Sequence, residues 1–450
     1  MEKSNLVTGN LWKVTFTFAI PLVIMNLLQA LYNIADMIIV GHFAGASGLT
    51  AVGNGTAVTM VILNIVMGLA NGAAIMTAQF IGRKKENEIP NIIGTVFLTF
   101  LAIGVFLTIL VEILIHPILG LMNTPGEAYA QTVSYLRICA IGTIFIYTYN
   151  MMAAVLRGLG NSKIPMLLVL ITSILNVGLD LLFVGAFNMS ATGAAIATVI
   201  SQVVSALLIF PISKNKYSIL KLTKENLKID TYIFKNLFKI GMPQSIQFTL
   251  TQASFALIQG LVNVYGNNAA AAMSSITRLT SIATLACQAF MAAIITIAGQ
   301  NIGAKQFQRA FKSMFIGMAY SAPFTIIFVA FSWFRPEWMM GIFTSDPLVI
   351  ATGAPFLRIL ALSYLVECVM FCMFGLITGA GYTNVTMLCA IFSAFIVRYS
   401  LALIFSQHTS LGFLGIAWAY IFAPMASCIV CIIFLCTGKW KQSRLKMRQE

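Results

Sequence analysis

FAIPLVIMNLLQALYNIADMIIVG, residues 18–41, decides the fold. The stretch is long and apolar enough to cross a bilayer as a helix, yet it carries Asn26, Gln29, Asn33 and Asp36 at spacings of three, four and three. Those spacings set the four polar side chains on one helix face. Pro21 opens the stretch fifteen residues before Asp36.

The segment has a counterpart. When the chain is slid against itself by 221 or 222 positions, Pro21 falls on Pro243 and Gln79 on Gln300. AQFIGRKK, from Ala78, then meets GQNIGAKQ; YLRICA around Arg137 meets FLRILA around Arg358; and LRGLGNSKIPM from Leu156 meets ITGAGYTNVTM from Ile377. Gly193 meets Gly415. One register that drifts by a single residue over nearly two hundred positions marks a duplicated unit. The copies differ in charge: Asp36 meets an apolar position near Ile258, and Asp180 meets one near Leu401.

The chain of 450 residues is 59% hydrophobic and 9% charged, and its apolar runs repeatedly exceed twenty residues, which a soluble core does not need. An all-α polytopic membrane protein follows. Twelve spans are expected near 14–40, 51–80, 93–117, 132–157, 164–187, 191–212, 237–264, 270–300, 313–334, 354–379, 384–406 and 413–436. This gives two repeat-related bundles of six helices, a lobe at 1–212 and a lobe at 237–450, joined by a linker at 213–236. The linker is Lys-rich and partly amphipathic, which suits a helix lying along the inner leaflet or a plain tether. No leader with a cleavage site is evident, and the first span is read as uncleaved.

Basic residues gather on alternate loops and at both ends, with 22 of the 27 Lys and Arg on one side. Both termini are therefore expected in the cytoplasm, with the chain crossing a bacterial plasma membrane many times. The net charge of +14 reads as this topological signal, and no nucleic-acid partner is expected. The eight cysteines fall almost wholly inside spans, so the Cys428/Cys431 pair reads as packing and not as a metal site. No Walker, nucleophile-elbow or HExxH pattern occurs. The chain is not read as an enzyme, and no cofactor or resident metal is expected.

A carboxylate deep in a bilayer costs roughly 2.5–3.5 kcal/mol on insertion scales, so it is retained where it pairs, holds a proton or faces a wet cavity. Asp36 is one such group. Asp180 is the other, on a span that also carries Thr172 and Asn176 at spacings of four. Without a cationic partner at similar depth, the two acids are expected to hold a proton or bind a cation, a structural hydrogen-bonded role being the competing reading. Pro21 and Pro243 read as repeat-related bends, either moving hinges or static kinks. In the second copy, Glu367 and Arg398 fall near mid-membrane depth and are expected to pair. Glu112 is expected to reach the headgroups.

The chain resembles the multidrug and toxic compound extrusion (MATE) family of transporters. The likeness covers nearly the whole length and rests on IPLVIMNLLQALYNIADMIIVG in span one, GLANGAAIMTAQFIGRK closing span two, VLRGLGNSKIPM leading into span five, LNVGLDLLFV within it and GAAIATVIS in span six. The resemblance implies a V-shaped pair of six-helix bundles that exports amphipathic organic cations in exchange for protons or sodium ions. It implies a cation-coupling cluster in the first lobe, mapped here onto Asp36, Asn176, Asp180 and Thr198, with Gln29, Tyr32, Asn33 and Asn150 lining the nearby cavity. Sodium could be ligated by the cluster's oxygens, or the carboxyl pair could trade protons; sequence leaves both open. A family branch with coupling acids in spans seven and ten fits less well, because Thr251 and Gln252 stand where the first acid is expected and Glu367 lies about two residues from the second.

A monomer in the lipid bilayer, with small organic cations as its partners, is the expected working unit. The rival function is a flippase for lipid-linked precursors of the same general architecture. Its cavity would need several unpaired basic groups, for which Arg278 and Arg398 are the candidates. A passive channel is disfavoured by the duplicated bundles and paired acids.

Overall fold

The structure is a computed structural model in which residues 6–217 and 223–445 are described. Among these residues there is no strand. In chain order the helices are α1 (Leu11–Gly82), α2 (Ile89–Leu121), α3 (Gly126–Gly158), α4 (Lys163–Asp180), α5 (Ser190–Lys216), α6 (Thr231–Asn263), α7 (Asn267–Gly303), α8 (Phe307–Phe334), the short α9 (Pro336–Gly341), α10 (Pro347–Gly379), α11 (Thr383–Ile391), α12 (Ser400–Gln407) and α13 (Phe413–Cys436). A wider π-helical turn, Leu181–Ala186, extends α4, and a second, Phe392–Tyr399, joins α11 to α12.

Ten of these helical stretches are long and apolar enough to cross a membrane, with α11 and α12 counted as one. At 72 residues α1 makes two spans. The 33-residue α6 completes twelve; Gln244, Gln247, Gln252 and Gln259 dilute its apolar run without shortening its helix. Where sequence placed a loop at 41–50, helix runs almost unbroken and only Gly45, at φ 66° and ψ −165°, leaves helical geometry. An L side chain there would crowd its own carbonyl, so a single glycine makes the break that a longer loop was expected to make. Large apolar side chains such as Phe106, Ile113, Ile174, Leu207 and Ile433 are more than half exposed, as lipid-facing residues are and those of a soluble protein are not.

The duplication is written in the backbone. Positive φ occurs at Gly45 and Gly266, at Lys84 and Lys305, and at Gly160 and Gly381, each pair 221 positions apart, and at Ser190 and Gly412, 222 apart. Lys84 and Lys305 end their helices in the same way: each amide bonds the carbonyl three residues back, Ile81 or Ile302. The next amide, Lys85 or Gln306, bonds the carbonyl of Phe80 or Asn301, so the last carbonyls of α1 and α7 are satisfied identically. Close helix crossings repeat too. A Cβ on Gly158 would lie 2.6 Å from the Ala74 carbonyl oxygen, and one on Gly379 would lie 2.6 Å from that of Ile295.

Two compact units result. The first is Ile24–Ser245; the second comprises residues 6–23 and 246–445. The division falls inside α1 just after Val23 and inside α6 just after Ser245, in each case two residues beyond a proline, Pro21 or Pro243. Helix carries straight through Pro21. In the first unit the opening half of α6 crosses α1 closely, with Gly72 against Gly241 and the Ser245 hydroxyl donating to the Ile65 carbonyl. In the second unit Arg309 donates to the Thr8 and Gly9 carbonyls at 2.8 Å and fixes the segment that leads into α1.

The linker expected at 213–236, as a surface helix or a plain tether, is partly taken up by the helices on either side. Residues 213–216 end α5 and 231–236 begin α6, because both helices run on past their apolar stretches. Residues 218–222 lie outside the described set. The remainder is a non-helical strap bonded to the start of α2: Asn226 donates to Asn91 Oδ1 at 2.8 Å, Thr95 Oγ1 donates to the Lys228 carbonyl at 3.2 Å, and the Asp230 amide donates to Thr95 Oγ1 at 3.0 Å. Glu112, expected to reach the headgroups, pairs with Arg137 at 2.6 Å, and both side chains are half exposed. Arg358, the repeat partner of Arg137, likewise stands 3.9 Å from an acid, Glu337.

The matched glycine crossings make a paired test. Gly158→Ala and Gly379→Ala should each lower unfolding stability in detergent by about 1–3 kcal/mol through overpacking against a carbonyl. Gly178→Ala, whose Cβ meets nothing within 4 Å, should not. Equal midpoints for all three would show that these crossings can relax.

Candidate functional site

The polar stripe of span one and that of span five meet inside the first unit. On α1, Tyr32 and Asp36 lie one turn apart; on α4, Asn176 and Asp180 do the same, and Thr198 reaches them from α5. Tyr32 Oη and Thr198 Oγ1 stand 3.4 Å apart. The Asn176 amide satisfies its surroundings in one orientation, donating to Asp180 Oδ2 at 2.8 Å and accepting from the Thr198 amide at 3.2 Å. The carboxyl groups of Asp36 and Asp180 lie within hydrogen-bonding range of one another. Two carboxyl groups can stay that close only with a proton or a cation between them.

Asp180 is fully buried, while Asp36 is partly exposed, so the pair has one sealed member and one open one. Each has an Oδ1 that is buried and meets no donor. Among the described residues neither has a Lys or Arg within 4 Å. Carboxylate, amide and hydroxyl oxygens therefore converge without a resident positive charge. Such a donor set suits a proton or a hard monovalent cation and lacks the soft ligands that a transition metal selects. Among the described residues no cluster of three or more His, Cys, Asp or Glu occurs.

Helix geometry explains the convergence. Spacings of four keep Thr172, Asn176 and Asp180 on one face of α4, and the π turn begins directly after Asp180, a wide turn of the kind that marks functional positions in helices. Small residues of α5, Ala191, Ala194 and Ala195, are buried beside Ile39, Val40 and Val184 and bring that helix close enough for Thr198 to reach. Tyr135 and Cys139, one turn apart on α3, lie within electrostatic reach of Asp36. Sequence reading quoted them only as part of the repeated YLRICA string; their spacing of four was the available signal.

Of the expected lining residues, Tyr32 joins the cluster. Gln29 and Asn33 are exposed on the same face of α1, where they border it. Asn150 donates to the Ile146 carbonyl of its own helix at 2.8 Å. Thr172 likewise turns to its own backbone, donating to the Leu168 carbonyl at 2.8 Å. In the second unit Glu367 and Arg398 share one neighbourhood with Tyr420, but they do not come within 4 Å as an ion pair. The Arg398 guanidinium is engaged elsewhere: its Nη2 donates to Ser254 Oγ at 2.8 Å, and its plane lies over Phe255.

A family model described as MatE matches residues 21–182 and again residues 243–404, two stretches related by a 222-residue shift and each opening on a proline. The chain is 27% identical to the "Probable multidrug resistance protein YpnP" of Bacillus subtilis, with 99% of each chain covered. It is 25% identical to the "Probable multidrug resistance protein NorM" of Thermotoga maritima over 96% of this chain and 93% of that one. A solved structure described as the outward-facing conformation of a multidrug resistance MATE family transporter superposes with a TM-score of 0.92 at 23% identity, over 98% of this chain and 99% of the other. That last likeness carries the fold.

Asn176 holds Asp180, and Asn150 does not. Asn176→Ala should therefore cost about 1–3 kcal/mol in unfolding stability, the penalty for stripping a buried acceptor of its donor. Asn150→Ala, which leaves only a helix carbonyl with its ordinary backbone bond, should cost less than about 1 kcal/mol. A chemical or thermal unfolding series in detergent checks both, and the reverse order would mean that Asp180 is held by something else.

Proposed function

The chain belongs to the MATE family of transporters, and from that premise we propose that it is a secondary antiporter exporting amphipathic organic cations in exchange for protons or sodium ions. The observation that carries this reading is the Asp36/Asp180 pair, two facing carboxyl groups in a membrane-embedded unit with no basic side chain within 4 Å among the described residues. A site of fixed negative charge in a low-dielectric setting is filled by whichever cation reaches it. Driving ion and cationic cargo then compete for the same field.

In the proposed cycle a proton or sodium ion loads the pair from outside and releases the cargo that the charge had held. The loaded protein changes its access, the ion leaves inward, and the freed carboxylates draw in another cation. Asn176, Thr198 and Tyr32 keep the two acids in register throughout, so the ion meets a prearranged set of oxygens. One charge moving down 100 mV supplies about 2.3 kcal/mol, enough for roughly a forty-fold gradient of a neutral solute at about 1.4 kcal/mol per decade. A monovalent cation leaving one for one cancels that electrical contribution. Export against a gradient then draws on an ion concentration difference or on a second coupling ion.

Pro21 and Pro243 are proposed as the hinges of this change. Each lies two residues before the point at which its helix passes from one compact unit to the other. Proline lacks the amide that would brace the preceding turn, so bending concentrates there at low cost. Both termini are proposed to lie in the cytoplasm, on the side where the basic loops gather.

Everted membrane vesicles loaded with a fluorescent organic cation, under a proton or a sodium gradient imposed alone, test the proposal. Wild type should move the dye under one of the two gradients. Asp36→Asn and Asp180→Asn should each lower coupled movement about ten-fold or more, which is about 1.4 kcal/mol of lost coupling. A passive channel would keep leaking in both variants, and that result would overturn the antiport reading. Pro21→Ala and Pro243→Ala should slow turnover while leaving dye affinity within about two-fold, the pattern of a hindered conformational step.

A further inference from the structure

The three residues that frame the acid pair in the first unit have counterparts 222 positions on: Tyr32 in Ser254, Asn176 in Arg398 and Thr198 in Tyr420. A shift of 222 holds at Pro21 with Pro243, at Ser190 with Gly412 and across the two family matches, 21–182 and 243–404, while the backbone pairs from Gly45 to Gly160 run at 221. The counterparts also come together in the second unit. Arg398 Nη2 donates to Ser254 Oγ at 2.8 Å, and the guanidinium lies 5.3 Å from the Tyr420 ring centroid and 4.4 Å from that of Phe255. The acids themselves are gone, their places held by buried Ile258 and Ala402. The duplicated cradle thus exists twice, with the sign of its charge inverted.

We propose that this second cradle is a binding site for an organic anion, a carboxylate or comparable oxyanion carried on a flat apolar body. Arg398 is 8% exposed, and its Nε is buried with no acceptor. The Tyr420 hydroxyl, in the same cluster, is also buried without a partner. Two unspent donors beside a permanent positive charge call for an acceptor that is itself charged, because hydrogen bonds between ionised partners are about twice as strong as neutral ones. Phe255, 38% exposed, lies under the guanidinium and 6.3 Å from the Tyr420 ring, so the charge is set in aromatic surroundings that suit a flat apolar body. Arg398 also sits within a π-helical turn, as Asp180 adjoins one in the first unit. The nearby Glu367 stays beyond 4 Å of the guanidinium and so opposes an incoming anion without replacing it. This site is separate from the cation pair and does not depend on the coupling ion.

The test uses the full chain in nanodiscs of phosphatidylcholine, with 2-naphthoate as the anionic probe and uncharged 2-naphthamide as its isostere. Binding is read by equilibrium dialysis and by the 15N signal of the Arg398 Nε–H, assigned by its loss in Arg398→Lys. Naphthoate should bind about ten-fold or more tightly than naphthamide and shift that signal. Arg398→Met should erase the preference, and Tyr420→Phe, which keeps the ring and removes only the hydroxyl, should weaken naphthoate about three-fold or more. Glu367→Gln should tighten it by a similar factor, whereas a purely structural Arg398/Glu367 pair would give an unchanged or weaker affinity. The Asp36→Asn/Asp180→Asn double variant should bind naphthoate as wild type does, so a failure of the antiport reading and a failure of this one are told apart. Displacement of naphthoate by phosphatidylglycerol would identify the anion as a lipid headgroup, and no displacement would identify a free amphiphile; either supports the site. Equal affinity for the two probes, or an unmoved Arg398 signal, would overturn it.

Discussion

Two carboxyl groups held face to face, where charge is poorly solvated, cannot both stay ionised and alone. Every feature of the first unit near Asp36 and Asp180 answers that constraint. Asn176 spends its amide on one acid, Thr198 and Tyr32 bond each other beside it, and a layer of alanines lets α5 approach closely enough for these contacts to form. Asp180 is sealed and Asp36 is partly open, so whatever neutralises the pair enters from one side.

Duplication divides the work between backbone and side chain. The backbone devices that shape each unit come in matched pairs, from the glycine breaks at Gly45 and Gly266 to the left-handed helix ends at Lys84 and Lys305 and the carbonyl-tight crossings at Gly158 and Gly379. These positions tolerate little change, because a Cβ would collide or a backbone angle would be forced. Polar side chains projecting from the same scaffold are under no such limit. Asn176 and Arg398 occupy equivalent places, yet one bridges to a carboxylate and the other carries a guanidinium between two aromatic rings.

The sequence made the architecture legible because a bilayer demands long apolar runs and a duplication leaves a register to count. Spans, repeat and the polar faces that carry Asp36, Asn176 and Asp180 could be read from apolar length and from spacings of three and four, whereas Thr198 and Tyr32 were implied only by the family resemblance. Less could be read where the outcome turned on single groups finding partners. Nothing in the helix of Glu112 shows that Arg137, on the next one, faces it. The strap at residues 223–230 looked amphipathic, but its Asn226 and Asp230 are satisfied by Asn91 and Thr95, partners more than a hundred residues away. Glu367 and Arg398 were matched by depth alone, which ignores the nearer claims of Ser254 and the flanking aromatic rings on the guanidinium.

Opposite charges in the two copies also bear on how cargo and driving ion can be linked. In the cycle proposed above they meet one field within the first unit, so loading one would expel the other by direct competition, with no mechanical relay. An anion held at Arg398 answers to a different counter-charge and cannot be expelled by the same event. Any linkage between the two cradles has to run through a conformational equilibrium that both occupants bias, and its size is bounded by how differently each occupant binds the two states. Pro21 and Pro243, proposed above as hinges, each lie two residues before the point at which a continuous helix passes from one compact unit to the other. A duplicated scaffold suits such an arrangement, because matched backbone devices leave the side chains of the two cradles free to differ.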